Sequence, residues 1–161
     1  MEELEYSIIA AISENWAIGN KGEIPWHIPE EFKLLKEKTK NSTLIMGKAT
    51  WESIPEKFRP LPGRINIVLT RDKNYSAPGG IVCNSIENAF NEAKKYDREI
   101  FIFGGSKLYE MMLDNATYLY ISHVKGEFEA DTFFPKFNPE NYEIVEEIKS
   151  EKFTFRKYKK K

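Results

Sequence analysis

The feature that most constrains this chain is an alternation. Short, nearly continuous apolar runs, YSIIAAI (6–12), TLIMG (43–47), INIVLT (65–70), EIFIFGG (99–105) and TYLYISHV (117–124), are separated by segments with helical spacing at 29–39, 48–54, 85–95 and 106–113. A strand apolar on both faces must be covered on both faces, which is the situation of a parallel sheet between helical layers. Repeated strand and helix imply right-handed crossovers and an α/β fold. Ser85 ahead of Ile86, Ala89, Phe90 and Ala93 gives one helix both a side-chain cap and an apolar stripe. After residue 114 the alternation stops. YEIVEEI (142–148) and KFTFRKY (152–158) follow TYLYISHV with no helical pattern between them, so the sheet is expected to end in antiparallel strands. The expected architecture is three-layered: a central mixed, mostly parallel twisted sheet flanked by helices. Ligands of such sheets bind beyond the carboxyl ends of the strands, among loops and helix N-termini.

At 161 residues the chain is expected to form one domain, 1–161, around a single core. Its 24 basic and 25 acidic residues balance, so no net field draws nucleic acid or an anionic membrane. A lone cysteine, Cys83, has no partner for an internal disulfide, and MEELEYSII lacks the basic region and long apolar run of a signal peptide. No apolar run approaches the roughly 20 residues needed to span a bilayer. The expected location is cytoplasmic. The closing KYKKK reads as a solvated end.

Two places join a buried strand to a helix through glycine. In FIFGGSKLYEMM (101–112) two glycines permit a sharp turn and close approach of backbone N–H groups to a ligand at a helix N-terminus. In LIMGKATWESI (44–54) Gly47 does the same before Lys48, Ala49 and Thr50. Each junction alone also serves as an ordinary tight turn, and Lys48, Arg71 and Lys107 alone are ordinary surface cations. Two together suit the two anionic groups of a dinucleotide pyrophosphate. The Rossmann fingerprint G-x-G-x-x-G is absent. RPLPGR (59–64) is a proline-stiffened segment with arginines at both ends. It reads either as a connecting loop or as a carrier for Arg64, whose planar fork suits a carboxylate. Trp16, Trp26 and Trp51 read as packing residues. His27 and His123 have no Cys or His at ligand spacing, so no metal site is expected.

Glu31 poses the sharper question. Residues three and four ahead on a helix are neighbours. Glu30 therefore faces Lys33 and Leu34, whereas Glu31 faces Leu34 and Leu35 beside Phe32. It is either an acid favoured by the helix dipole after Pro29 or a carboxylate half-buried in a pocket, where desolvation raises its pKa. In the second case it needs a partner, and a flat heterocycle with two adjacent N–H donors would satisfy both oxygens.

Taken in order, IIAAISENWAIGNKGEIPWHIPEEFKLLKEKT, LIMGKATWESIP, RPLPGRINIVLTR, IFIFGGSKLYE, LYISHV and EADTFFP resemble the dihydrofolate reductase family along essentially the whole chain. The resemblance implies hydride transfer from NADPH to C6 of 7,8-dihydrofolate with protonation of N5, giving tetrahydrofolate. It places Glu31 at the family's single acidic active-site position, binding the pterin 2-amino group and adjacent ring nitrogen, with the Ser122 hydroxyl linked to both. It assigns Ile9, Phe32, Leu35, Ile54 and Phe103 to the folate pocket, extended by Ala10, Ile24, Trp26 and Leu61. Arg64 is implied to grip the α-carboxylate of the glutamyl tail, assisted weakly by Arg59. On the cofactor side it gives Ala11, Ile18 and Gly19 to the nicotinamide, and Gly47, Lys48, Ala49 and Thr50 to the phosphates. Leu69, Thr70 and Arg71 fall near the adenosine end with its 2′-phosphate. Phe103, Gly104, Gly105, Ser106, Lys107, Leu108 and Tyr109 fall around the pyrophosphate and nicotinamide, and the family's bond between the two glycines is cis. Residues 13–28 correspond to the mobile active-site loop, and Asp131 to the residue that orders it. A monomer is the family default, and antifolate inhibitors are implied ligands.

The chain departs from the family pattern in places. Lys48 stands where many members have Arg, Ala49 and Asn84 where some have basic or polar residues, and Ala130 where Gly is frequent; PEKF (55–58) lengthens the loop before RPLPGR. Two other functions remain to be weighed. A pyrimidine reductase of riboflavin synthesis shares the fold, but its ribityl phosphate gives Glu31 and RPLPGR no role. A nucleotide-binding module without turnover would leave the carboxylate-binding elements unused.

Overall fold

The computed structural model describes residues 4–161. The first three residues, part of the N-terminal stretch read against a signal peptide, lie outside the described residues. The strands are β1 (Ser7–Ser13), β2 (Ala17–Gly19), β3 (Thr43–Gly47), β4 (Ile65–Leu69), β5 (Ile81–Cys83), β6 (Ile100–Ile102), β7 (Tyr118–Val124), β8 (Thr132–Phe133), β9 (Tyr142–Lys149) and β10 (Phe153–Lys160). The helices are α1 (Pro29–Lys38), α2 (Lys48–Ser53), α3 (Ile86–Ala93) and α4 (Ser106–Met112).

Eight strands form one sheet in the order β5-β4-β3-β6-β1-β7-β10-β9. β5 through β7 run parallel, and β10 lies antiparallel to both β7 and β9. The mixed sheet expected from the pattern is thus present, with its change of direction after β7. Burial follows from the pairing: every residue of β6, and all but one of β1, is buried. The two faces carry separate clusters. α3 and α4 cover one, where Ala89, Ala93, Leu108 and Met112 meet Ile8, Ile12, Ile45, Ile67 and Ile121. α1 and α2 cover the other, where Leu35 and Trp51 meet Ile9, Leu44, Met46, Phe101 and Phe155. α3 begins at the expected cap, with the Ser85 hydroxyl accepting the Asn88 N–H at 3.1 Å. α1 has no side-chain cap and starts on Pro29, with Glu30 and Glu31 in its first turn and Lys36 and Lys38 in its last, both favourable to the helix dipole.

Three short strands were not expected from the sequence. β5 adds an edge beyond β4, and β2 pairs with β8 in a separate two-stranded sheet. The β2–β8 pair ties 13–28 to the segment after β7. The ties are Asp131 N–H to the Gly19 carbonyl (3.1 Å), Lys21 N–H to Asp131 Oδ2 (2.9 Å), and Phe134 N–H to the Trp16 carbonyl (2.9 Å). The Lys21 N–H, and after it the Thr132 hydroxyl, donate to the Asp131 carboxylate and hold it below its ordinary pKa. PEKF forms a turn of 3-10 helix over Glu56–Phe58.

On the α3–α4 face, His123 of β7 shares a 2.8 Å hydrogen bond between its Nε2 and the hydroxyl of Tyr158, a residue 1 % exposed. Burial, and then the charge of Arg156, push the His123 imidazole down to about 4. Folded His123 is therefore neutral where the unfolded chain, titrating near 6.5, already takes up a proton. The unfolded state binds more protons in that interval, so stability is full above about pH 6.5 and falls as pH drops towards 4. Urea midpoints measured from pH 4 to 8 should decline on the acid side of that window, and His123→Asn should flatten that part of the decline. Parallel curves for the two proteins would remove His123 from the account.

Candidate active site

The carboxyl ends of β1, β3 and β6 are neighbours, because β6 is inserted between β3 and β1. This brings the two strand-glycine-helix junctions into contact. The Gly47 N–H donates to the Gly104 carbonyl at 2.8 Å, and a Cβ on Gly47 would lie 3.8 Å from both Gly104 O and Gly105 N. The Gly104–Gly105 bond is cis, as the resemblance implied, and so is Arg59–Pro60. Gly104 has φ +114, and a Cβ there would meet the Tyr109 hydroxyl at 3.2 Å and Thr50 Oγ1 at 3.3 Å. Glycine is required on both counts, since an L side chain would be strained and crowded. The backbone at this junction is consequently bare, and Lys48, Thr50, Ser106 and Lys107 follow directly from it.

The Tyr109 hydroxyl donates to the Ile9 carbonyl at 2.8 Å, linking α4 to β1. Burial and the nearby charge of Glu31 raise the Tyr109 pKa, so the phenol stays protonated and keeps that bond.

Glu31 is 3 % exposed, with its backbone N–H bonded to the Ile28 carbonyl in the first turn of α1. Burial raises its pKa, opposed by a hydrogen bond from the Ser122 hydroxyl on β7. Ser122 is itself 4 % exposed. An acid on an α1 surface turned inward thus meets one side-chain donor from the sheet. In the α1–α2 cluster, Trp26 is 8 % exposed and its indole Nε1 has no hydrogen-bond partner among the described residues. A buried N–H without an acceptor is costly in a finished core. Its natural complement is a water or a ligand acceptor.

The residues assigned to the two ligands divide between the two clusters. Ile9, Ala11, Trp26, Leu35, Ile54, Leu61 and Phe103 belong to the α1–α2 side. Ile18, Leu69, Leu108 and Tyr109 belong to the α3–α4 side. Ala10 also packs on the α3–α4 side, because alternation along β1 turns it away from Ile9, so only its backbone faces the Glu31 side. Ile24 is 49 % exposed on the loop, and Phe32 is half-buried with its ring 5.9 Å from that of His27. Lys48, Ala49, Arg71 and Lys107 are exposed, and Gly19, Thr70, Gly105 and Ser106 are partly so.

Arg64 is held from three directions. Its Nε donates to Thr39 Oγ1 at 3.0 Å, one terminal nitrogen to the Pro62 carbonyl and the other to the Lys36 carbonyl at 2.6 Å. A guanidinium has five N–H donors, so among the described residues one on each terminal nitrogen is left for a further acceptor such as a carboxylate. Two residues that the sequence reading missed build this arrangement. Thr39, 2 % exposed at the end of α1, accepts from Arg64 while donating to the Leu35 carbonyl at 2.9 Å. Asn66, 2 % exposed in β4, accepts from Leu61 N–H at 3.0 Å and donates to the carbonyls of Leu61 and Arg64, which folds RPLPGR back on the strand. A signal for Asn66 was present: a lone amide inside the apolar run INIVLT must find partners once buried. Arg59 stacks over Trp51 with its guanidinium carbon 5.5 Å from the ring centroid.

A family model described as dihydrofolate reductase matches residues 5–160. The dihydrofolate reductase of Buchnera aphidicola subspecies Baizongia pistaciae is 44 % identical over 142 residues, which is 88 % of this chain and 84 % of the relative. That of Staphylococcus aureus is 37 % identical over 142 residues, 88 % of this chain and 85 % of the relative. Among solved structures, dihydrofolate reductase from Enterococcus faecalis complexed with NADP(H) and RAB-propyl superposes with a TM-score of 0.86 at 35 % identity, covering 97 % of this chain and 96 % of that one. On the family match and these identities together, the chain belongs to the dihydrofolate reductase family.

Proposed function

We propose that the chain reduces 7,8-dihydrofolate to 5,6,7,8-tetrahydrofolate with NADPH, hydride passing to C6 and a proton to N5. The observation that carries this reading is Glu31, a carboxylate buried to 3 % exposure with, among the described residues, one serine hydroxyl from the sheet as its side-chain partner. A pterin edge has two adjacent N–H donors, which complement both carboxylate oxygens. NADPH, when bound, supplies the hydride. The residues at the paired glycine junctions fit such a cofactor: bare backbone at Gly47, Gly104 and Gly105 allows close approach, and Lys48, Thr50, Ser106, Lys107 and Arg71 provide donors for phosphates.

The protein's own work is placement and protonation. Ile9, Phe32, Leu35, Ile54 and Phe103 wall the pterin site and exclude water, and Ala11 lies on the nicotinamide side. Burial raises the pKa of Glu31, which makes its carboxyl easier to protonate than an exposed glutamate, and the Ser122 hydroxyl keeps the carboxyl aimed. Trp26 Nε1 offers a donor to a water or to the pterin carbonyl. Arg64 receives the glutamyl α-carboxylate on its two free N–H groups, with Arg59 at the rim. Ile18 and Gly19 close over the nicotinamide while Asp131 holds 13–28 in place.

Residues 1–161 act as one domain, a cytoplasmic monomer open to antifolate inhibitors. The monomer is supported by the exposed edge strand β9, where a register shift against β10 and the charges of Glu143, Glu146, Glu147 and Lys149 discourage pairing with a second sheet.

Glu31→Gln keeps the shape but removes the ionisable group. NADPH oxidation dependent on dihydrofolate, followed at the nicotinamide absorbance band, should fall by about a hundredfold or more at neutral pH. The same variant should be more stable than the parent at that pH. Native Glu31 binds its proton more tightly than the unfolded chain does, so parental stability drops as pH rises from the ordinary glutamate pKa through the raised native one. The variant lacks that drop. Near-parental turnover would remove Glu31 from the mechanism. For Arg64→Ala, the KM for dihydrofolate should rise while a pterin lacking the glutamyl tail is affected much less. Equal penalties would argue against the tail assignment.

A further inference from the structure

Tyr75 lies in the connection between β4 and β5, 27 residues from Lys48 in sequence, yet the Lys48 ammonium sits over its ring, 4.9 Å from the centroid. That is within the range at which a ring quadrupole attracts a cation. The ring does not depend on Lys48 for its own position. Tyr75 is half-buried and packs against the cluster that contains Trp51 and Ala77. Its loop is closed locally by Asn74 N–H to Asp72 Oδ1 (2.9 Å), Tyr75 N–H to the Asp72 carbonyl (3.2 Å) and Gly80 N–H to the Ala77 carbonyl (2.8 Å). At Gly79 a Cβ would fall 2.6 Å from Pro60 Cδ, so the loop lies directly against the proline of RPLPGR. The aromatic platform is therefore fixed by packing.

Glu52 completes the arrangement. One turn beyond Lys48 on α2, it is at the spacing where a lysine commonly finds a carboxylate. Instead it lies by the Tyr75 hydroxyl, whose pKa is raised first by burial and then by the Glu52 charge. None of the ion pairs among the described residues involves Lys48. The ammonium is thus restrained by a neutral ring face, which leaves its charge uncompensated. A lysine in place of arginine brings a compact charge on a flexible stem, with rotamer entropy to lose when it grips an anion.

We propose that Tyr75 is a positioning residue for the cofactor: its ring holds the Lys48 ammonium in place for the phosphate that distinguishes NADPH from NADH, and so adds to the preference for the phosphorylated dinucleotide. The proposal rests on the reading that gives Lys48 to the cofactor phosphates, and takes the phosphate it meets to be the 2′-phosphate that the resemblance places by Arg71. Its effect is the fold-change that an exposed cation–π contact produces, about two- to fivefold in apparent affinity.

The test is steady-state kinetics with dihydrofolate, using NADPH and NADH in parallel, on the parent protein, Tyr75→Leu, Tyr75→Phe, Lys48→Met and the Tyr75→Leu/Lys48→Met double variant. Tyr75→Leu should raise the KM for NADPH about two- to fivefold with kcat and the KM for NADH unchanged. Tyr75→Phe, which keeps the ring, should restore most of the difference. In the Lys48→Met background, Tyr75→Leu should add nothing, because its effect acts through the ammonium. Equal losses with the two cofactors, or an undiminished Tyr75→Leu effect without Lys48, would overturn the role of Tyr75 alone. If Lys48→Met itself changes NADPH and NADH equally, the phosphate assignment of Lys48 falls, and the proposal with it.

Discussion

Removing a carboxylate from water is among the costlier things a fold does, and this structure does it at the first turn of α1. The position is dictated by three local facts. Pro29 starts the helix without needing an N–H partner, the helix N-terminus favours an acid, and Leu34 and Leu35 turn the Glu31 side of the helix towards the sheet. The dipole lessens the cost and Ser122 offsets part of it, but burial still dominates, since the net shift of the pKa is upward. A polar group kept in that condition by an otherwise well-packed core indicates a site shaped for a ligand that brings donors of its own.

The sheet order turns this one helix position into a site with two halves. Inserting β6 between β3 and β1 brings Gly104 against Gly47, so two strand-glycine-helix junctions from separate crossovers meet at the carboxyl end of the sheet. Tyr109, anchored on the Ile9 carbonyl, lies where the two halves meet, and its pKa responds to Glu31. α1 does a second job at its other end. Thr39 binds Arg64 there, so the acid proposed to meet the pterin and the cation proposed to hold the glutamyl tail are spaced by one helix and its last hydroxyl. A ligand with a flat polar head and an anionic tail is measured against that span.

Much of this was legible in the residues because it is local. Continuous apolar runs gave five strands of the main sheet, helical spacing gave α1 to α4, and the change after residue 114 gave β9 and β10. The environment of Glu31 followed from its neighbours three and four positions on. What escaped is short or distant. β2, β5 and β8 have two or three residues each and exist through their pairing partners, too little chain for a period to register. Thr39 looked like the unremarkable end of a helix, and Asn66 was hidden inside a run otherwise apolar. Their importance arises from Arg64, which approaches Thr39 across 25 positions. Tyr75 is a similar case, since a cation over a ring leaves no trace in spacing. Ala10 shows the opposite error of resolution. The resemblance placed it with Ile9, and strand alternation separates the two side chains onto opposite faces.

The same contrast between local and distant ties separates the rigid part of the site from the part able to move. Glu31, Ser122, Tyr109 and Thr39 are all 6 % exposed or less, and each belongs to a helix, a helix end or a central strand. The 13–28 segment, which the resemblance makes the active-site loop, is different in kind. Within 13–28, Ala17, Trp26 and Ile28 are buried, but the turn over 21–24 is exposed and is joined to the segment after β7 by the Gly19 carbonyl and the exposed Asp131 carboxylate. Solvent-exposed hydrogen bonds with little apolar burial open at low cost. A reductase of this kind needs both behaviours: an acid and an arginine that hold their spacing through every turnover, and a cover that yields each time ligands exchange.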